Sequence, residues 1–399
     1  MSKISKMTLG DLVEFQRGYD LPKSKFLNGE FPVISSNGIL GFHNEYKVKG
    51  PGITIGRSGT VGMPQYIKSN FFPHNTSLFV KNFKGNNPKY IYYLIKTLGL
   101  NDWKSGSGVP TMNRNHLHPI SILAHTNNLE QKKIASVLST LDYKIELNNR
   151  INTELESMAK TLYDYWFVQF DFPNKNGKPY KSSGGKMVWK DELKREIPEE
   201  WGVESIEKCC KIVDCLHSKK PDFNYEENKY YLLQLENIKD DGLLDLTSIY
   251  YVSAEVYKLW TSRIEVIEND IVITNAGRVA ATAQIPRGVK AGIGRNITAI
   301  RPSTINPTYL FLTFRGIDMI RQVKMNTDSG AFFTSLNVKG IKKLNIVRPS
   351  QEIENRFEDI VKPLRQKREL NNFENQKLSE LRDWLLPMLM NGQVRVRKI

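Results

Sequence analysis

The sequence predicts an α+β fold: two mixed, mostly β units, each followed by a long helical segment. Three observations predict it. A helical stretch occurs twice at an offset of 223 residues, short β-like runs with Gly, Pro and Asn breaks precede each copy, and weaker motifs recur in those runs. The period is about half of the 399-residue chain, which marks a duplication and not a solenoid.

The first helical copy runs from Leu129 to about Trp166 and the second from Gln351 to about Leu389. Ile134 aligns with Phe357, Leu138 with Val361, and Leu141 with Leu364. Glu-Leu-Asn-Asn recurs intact at 146–149 and 369–372. Beyond it Leu155 aligns with Leu378, Met158 with Leu381, and Leu162 with Leu385. Apolar residues three and four apart define one face of an amphipathic helix. The expected seam positions are Leu141, Ile145, Asn148, Leu155 and Leu162 in the first copy and Leu364, Asn371, Leu378 and Leu385 in the second. Asn148, Asn152, Asn371 and Asn375 are either the wet edge of that seam or buried pins that fix register. Ile145 becomes Arg368, so the copies are not equivalent. Pro363 aligns with Thr140. Proline is disfavoured inside a helix, so each segment reads as a short helix followed by a long one. Ser139 is the expected cap of the first long helix, and residues 140–168 correspond to about 43 Å of helix.

The remaining elements follow in chain order. Thr8–Phe15 opens the first unit, followed by β-like runs at Phe31–Ser35 and Gly52–Gly56. Pro88–Ile95 reads as a helix that begins at its proline. A glycine-rich loop, Ser105–Pro110, leads to Asn113-Arg114-Asn115 and a last strand. Residues 171–202 read as a turn-rich linker. Residues 203–349 then repeat the first unit with an insertion. Gly52–Ile55 resembles Asp270–Ile273, Ser58-Gly59-x-Val61 resembles Ala276-Gly277-x-Val279, and His74-Asn75 resembles Arg295-Asn296. Pro88-x-Tyr90 resembles Pro307-x-Tyr309, Ser107-Gly108 resembles Ser329-Gly330, and Asn113 resembles Asn337. The predicted boundaries are 1–125, 126–170, 171–202, 203–349, 350–392 and a basic tail, 393–399.

Charge narrows the function. Lys and Arg number 57 against 42 Asp and Glu, a net charge of +15, which favours an anionic partner and, for a basic chain of this kind, nucleic acid. The first residues lack an apolar leader core and no apolar run reaches membrane-spanning length, so the expected location is the cytoplasm, with no membrane partner. The 3 cysteines form no even framework, which agrees with a reducing compartment. Cys209, Cys210, Cys215 and His217 are crowded but wrongly spaced for a zinc site, and no metal is expected. Asp222, Glu227 and Lys229 mimic a nuclease signature, but too few residues separate them for two strands and a turn. No motif for binding S-adenosylmethionine or ATP is present.

Leu129-Glu130-Gln131-Lys132-Lys133-Ile134-Ala135, Leu162-x-x-x-Trp166-Phe167-Val168-x-Phe170-Asp171 and Ile197-Pro198-Glu199-Glu200-Trp201, in this order of units, resemble the specificity subunit of type I restriction–modification systems. The resemblance covers about Leu9 to Gln393; the usual Ile-Pro-x-x-Trp lead-in is missing before the first unit. It implies two target-recognition domains separated by two long antiparallel coiled-coil helices, with an internal pseudo-twofold. Each domain reads one half of a bipartite, asymmetric double-stranded DNA target. The helices set the spacer and dock two modification subunits, which carry the methyltransferase, and through them the restriction subunits. The chain itself is then non-catalytic and needs no cofactor; S-adenosylmethionine, ATP and Mg2+ belong to the partners. The competing reading is a coiled-coil adaptor that binds proteins only.

Loop residues at matching places in the two units are the candidates for DNA contact, because Arg reads guanine and Asn reads adenine. In the first unit these are Arg57, Ser58, His74, Asn75, Asn113 and Arg114. In the second they are Arg278, Arg295, Asn296, Asn337 and Lys339. Gly59, Gly277, Gly108 and Gly330 are expected to let the backbone come close. Lys23, Lys25, Lys219 and Lys220 are candidates for phosphate contact.

Overall fold

The computed structural model describes residues 4–102, 111–217, 220–223, 229–329 and 334–396. The loop at Ser105–Pro110, Gly330, Lys219, Glu227 and the last residues of the basic tail lie outside them. The chain forms two compact units, 1–146 with 377–399, and 147–376. The division falls within both long helices, so neither helical segment stands as a body of its own.

In the first unit four antiparallel strands lie in the order Glu14–Arg17, Ser77–Asn82, Gly52–Gly56, Pro64–Ile67. A second sheet places Gly38–His43 beside Phe31–Ser35, which pairs in parallel with Phe72–Pro73. Ile4–Thr8 pairs with Ser121–His125 and brings the ends of the unit together. The Ile53, Ile55, Phe15 and Leu78 side chains are buried because Gly52–Gly56 is covered on both faces. The Pro88–Lys96 helix supplies Tyr90, Ile91, Tyr93 and Leu94 to the same core. It begins as the sequence predicts: Pro88 sits in the first turn, and Asn87 Oδ1 accepts from the Tyr90 amide.

The second unit has the same strand order. Cys210–Asp214, Ile297–Pro302, Ile271–Thr274 and Thr282–Gln284 form the four-stranded sheet. Tyr250–Val252, Tyr230–Leu233 and Gly292–Ile293 form the three-stranded one, again with one parallel pair. Gly202–Ser205 pairs with Asn345–Arg348. The duplication inferred from motifs is thus a duplication of sheet topology. Cys209 and Cys210 are buried apolar positions here.

Two expectations about the helices are corrected. The first long helix runs without a break over Asn128–Tyr163, 36 residues or about 54 Å. The second runs over Gln351–Met390, 40 residues or about 60 Å, straight through Pro363. Pro363 and Asp359, whose carbonyl loses its partner, are both exposed, so water can replace the missing amide. Ser139 is no cap: its hydroxyl and that of Thr140 donate back to the Ser136 carbonyl within the helix.

The helices pair antiparallel within each unit. In the first, Arg382 donates to Asp142 Oδ1 at 2.9 Å, and Asp142 also accepts from the Tyr93 hydroxyl. In the second, five asparagine amides interlock. Asn148 Nδ2 donates to Asn375 Oδ1 at 3.0 Å and to Glu374 at 2.7 Å. Asn371 Nδ2 donates to Asn152 Oδ1 at 2.9 Å, and Asn375 Nδ2 to Asn149 Oδ1 at 2.8 Å. Asn148 and Asn371 are 2% and 1% exposed, so they lie inside the seam and not at a wet edge. Leu141, Ile145, Leu155, Leu162, Leu364, Leu378 and Leu385 are all half-buried along the seam. Met158 and Leu381 are exposed, contrary to the aligned apolar pattern, and Ala159 takes the buried place beside Met158.

The first helix ends in a π-helical turn, Asp164–Val168, which turns Trp166 and Phe167 into the core of the second unit against Phe357. The expected linker is anchored and partly regular. Phe172 stacks on Trp201 at 4.7 Å, and Met187–Lys190 forms a hairpin with Arg195–Pro198. Arg365 and Arg368 are buried in this unit. Arg365 lies 3.9 Å over the Phe311 ring, and burial pushes its pKa down to about 10. Arg368 pairs with Glu156, which also holds Arg315. Among the described residues no helix is long and apolar enough to cross a membrane.

Candidate nucleic-acid interface

Three loops meet at one end of the four-stranded sheet in each unit, and main-chain hydrogen bonds tie them together. In the first unit the Arg57 and Ser58 amides donate to the Thr76 carbonyl at 2.8 and 3.3 Å, and the Met112 amide donates to the Arg57 carbonyl at 2.9 Å. Ser58 also bridges Thr111. In the second unit the Asn275 amide donates to the Asn296 carbonyl at 2.8 Å, and the Leu336 amide to the Asn275 carbonyl at 2.8 Å. Ala276 bridges Ser335. The stitching is the same in both units, and it joins segments that are far apart in sequence.

The strand registers fix which residues correspond. Gly56 pairs with Ser77, and Thr274 with Ile297. Asn75 therefore corresponds to Arg295 and Thr76 to Asn296. The motif alignment of His74-Asn75 with Arg295-Asn296 is one residue out of register. Both turns carry an Asn, but at successive positions, and backbone pairing, not residue identity, decides the match. Gly59 and Gly277 keep positive φ at 81° and 75° in the matching turns. At the next such position Gly62 is matched by Ala280, held at φ 62°.

Side chains at these loops fall into two groups. Arg57, Arg114, Arg295 and Lys339 have no hydrogen-bond or ion-pair partner among the described residues; the last three are exposed. The others are committed. Asn113 Oδ1 caps the Arg114–Leu117 helix, accepting from the Asn115 and His116 amides at 2.9 and 3.3 Å. Asn337 caps Val338–Lys342 through the Gly340 amide and donates to Asp328. Arg278 donates to Asp240 and to the Leu235 and Ile238 carbonyls, so it braces the 235–240 loop. His74 Nδ1 meets Thr76 Oγ1 at 3.1 Å, and Asn75 donates to Asp20. Ser58 takes part through its backbone, and Asn296 is exposed at φ 62°.

In the first unit these residues border a cleft of about 600 Å³, lined by Arg17, Tyr19, Asp20, Arg57 and Arg114 among others. Sequence reading missed Arg17, Tyr19 and Asp20. They lie at and just past the end of the strand Glu14–Arg17, where Gly18 packs so closely on the His74 carbonyl that a Cβ has no room. Arg17 and Asp20 form an ion pair at 3.5 Å. In the second unit the same register positions, taken from the pairing of Arg17 with Leu78 and of Asp214 with Thr298, are Asp214 and His217. They too are paired, His217 Nε2 lying 2.8 Å from Asp214 Oδ2, with the acid now at the first position of the turn. Asp214, Cys215 and His217 place their ligand atoms within 4.8 Å of one another. Burial, and then Asp214, hold the Cys215 thiol above its usual range, so it stays protonated, and the corresponding trio in the first unit is Arg17, Gly18 and Asp20. The feature the two units share is a side-chain pair three residues apart across this turn.

Residues 1–157 match a family model described as the type I restriction modification DNA specificity domain. The chain is similar to the specificity subunit of the type I restriction enzyme MjaIX of Methanocaldococcus jannaschii, at 25% identity over 78% of this chain and 70% of that one. It is 26% identical to the HindI specificity subunit of Haemophilus influenzae, over 66% of this chain and 67% of that one. Among solved structures, the S subunit of a type I restriction–modification system from M. genitalium aligns over 98% of this chain and 96% of that one. The TM-score is 0.62 at 17% identity, which speaks for the fold.

Proposed function

We propose, from the premise that this chain belongs to the specificity-subunit family of type I restriction–modification systems, that it selects the DNA sequence on which partner subunits act. Each unit reads one half of a bipartite target through its three stitched loops. The observation that carries this reading is the repeated stitching itself. The same backbone frame presents Arg57 and Arg114 in one unit and Arg295 and Lys339 in the other, all without protein partners among the described residues. Free cationic side chains on a fixed frame suit phosphate contact and guanine readout.

The antiparallel helices act as the spacer and as the docking surface for two modification subunits, with restriction subunits attached through them. The reciprocal pairs Asn148–Asn375 and Asn371–Asn152 support a pseudo-twofold, since each pair maps onto the other under the 223-residue offset. Methylation and cleavage, with S-adenosylmethionine, ATP and Mg2+, belong to the partners. In the cell this is a cytoplasmic assembly on duplex DNA.

The test is duplex binding by the assembled methyltransferase across a salt series, alongside genome-wide mapping of methylated adenines with and without this gene. The expected result is affinity that falls steeply with salt, and one split motif that disappears with the gene. Arg57→Ala and Arg295→Ala should each either lower the salt slope by about one unit or relax one motif position. A complex with no duplex affinity at any salt would establish the adaptor reading instead.

A further inference from the structure

The first unit's cleft holds one acid among arginines. Asp20 is exposed, accepts from Asn75 of the neighbouring turn, and pairs with Arg17 three residues earlier. A carboxylate there repels phosphate, so the DNA backbone cannot rest against it. The groups on duplex DNA that suit an exposed carboxylate are base amino groups, and in the major groove these are cytosine N4 and adenine N6. Asn75 lies on the turn whose Thr76 carbonyl accepts from the Arg57 amide, and Asp20 and Arg57 line the same cleft. The register of the second unit supplies an independent observation. The position matching Asp20 is His217, and its partner three residues earlier is Asp214 where the first unit has Arg17. The turn geometry is retained while the hydrogen-bonding chemistry at its tip is exchanged. That is how a position tuned separately in each unit differs from a brace common to both.

We propose that Asp20 is a specificity-determining residue of the first unit, accepting a hydrogen bond from the exocyclic amino group of a cytosine or adenine in the major groove, and that His217 is its counterpart in the second unit. This inference rests on the reading of the three loops as the DNA face. The first half-site then contains at least one base pair fixed by its amino group.

The experiment maps the methylated motif of the full complex, partners included, for the unaltered chain and for Asp20→Ala, Asp20→Asn and Arg17→Ala. Competition among duplexes that vary each half-site base then measures discrimination. Asp20→Ala should cost about tenfold to a hundredfold in discrimination at one position of the first half-site and leave the second unchanged. The identity of the relaxed letter decides between cytosine and adenine. Arg17→Ala removes the ion pair but leaves the carboxylate, so its motif should be unaltered even if affinity falls at every sequence. His217→Ala should relax the other half-site only. An unchanged motif in Asp20→Ala, equal relaxation in Arg17→Ala and Asp20→Ala, or relaxation of both half-sites by Asp20→Ala would overturn the proposal. Arg57→Ala separates the two levels. If it alters neither motif nor salt slope, the DNA face itself is misplaced; if it does and Asp20→Ala does not, only Asp20's role is lost.

Discussion

The asparagine lock between the helices predicts an unequal response at two positions that the sequence treats as equivalent. Asn148 makes two donated bonds, to Asn375 and to the Glu374 carboxylate. Asn371 makes one, to Asn152, and its own Oδ1 is buried without a partner. Asn148→Ala therefore loses a neutral and a charged hydrogen bond and leaves Asn375 Oδ1 unsatisfied. An orphaned buried acceptor costs about 1–3 kcal/mol, and the lost bond to a half-exposed carboxylate adds roughly 1 kcal/mol. The expected loss is about 2–4 kcal/mol. Asn371→Ala orphans Asn152 Oδ1 but removes an acceptor that was already orphaned, so the two effects largely cancel. It should cost about 1–3 kcal/mol less than Asn148→Ala. Urea unfolding followed by circular dichroism measures both, with a double-mutant cycle on Asn148 and Asn375 to isolate their coupling. Replacing Asn148, Asn152, Asn371 and Asn375 together by Leu should recover stability while loosening register, because apolar replacement of a whole buried polar set is often neutral or stabilising. Equal losses for the two single variants, or a larger loss at Asn371, would refute this accounting.

Three further outcomes are expected. Burial pushes the Tyr90 phenol of the first unit up from 10 to about 12, so the folded state keeps a proton that the unfolded chain gives up. That stability is intact below pH 10 and lost as pH rises towards 12, on the order of 3 kcal/mol at most. Urea midpoints at pH 9 and 11.5 should fall less in Tyr90→Phe than in the unaltered chain. In the second unit burial pushes Tyr163 up to about 12 as well, a contribution lost over the same range, while the lowered value of Arg365 contributes with the opposite sign. Gly62→Ala should destabilise by more than about 1–2 kcal/mol in thermal melts, since φ is 84° and a Cβ meets the Leu100 carbonyl, whereas Ala280→Gly should change stability by less than about 1 kcal/mol. Gly18→Ala drives a Cβ into the His74 carbonyl and so displaces the turn beside the cleft; it should weaken duplex binding more than Arg17→Ala does, as read by fluorescence anisotropy.

How much was legible in the sequence depended on which physical signal carried each feature. The duplication was legible because Glu-Leu-Asn-Asn and its flanking apolar residues repeat without a gap. The loop frame was legible as place but not as role. Asn113 and Asn337 repeat because both cap short helices, and a cap and a base reader look alike in a loop. Arg278 stood out as a loop arginine, yet it is spent on two carbonyls and Asp240. The one-residue slip at Asn75 could not be seen, because register lives in backbone pairing. Helix continuity through Pro363 was missed because the cost of proline depends on whether water reaches the abandoned carbonyl. Asp20 left no motif of its own. Its signal is a side-chain pair three residues apart that recurs at Asp214 and His217 with the acid at the other end, visible only after the strands are superimposed by register.

The main-chain stitching of the loops has a consequence for how such a chain changes. Bonds from the Arg57, Ser58 and Met112 amides do not depend on what those side chains are. A substitution at Arg57, or at Arg295 across the turn from Asn275, therefore alters what is offered outward without unfastening what lies beneath. The vocabulary is uncoupled from the grammar: new letters can be tried one at a time on an intact frame. A lineage under pressure to diversify can thus drift in preference while its fold stands still.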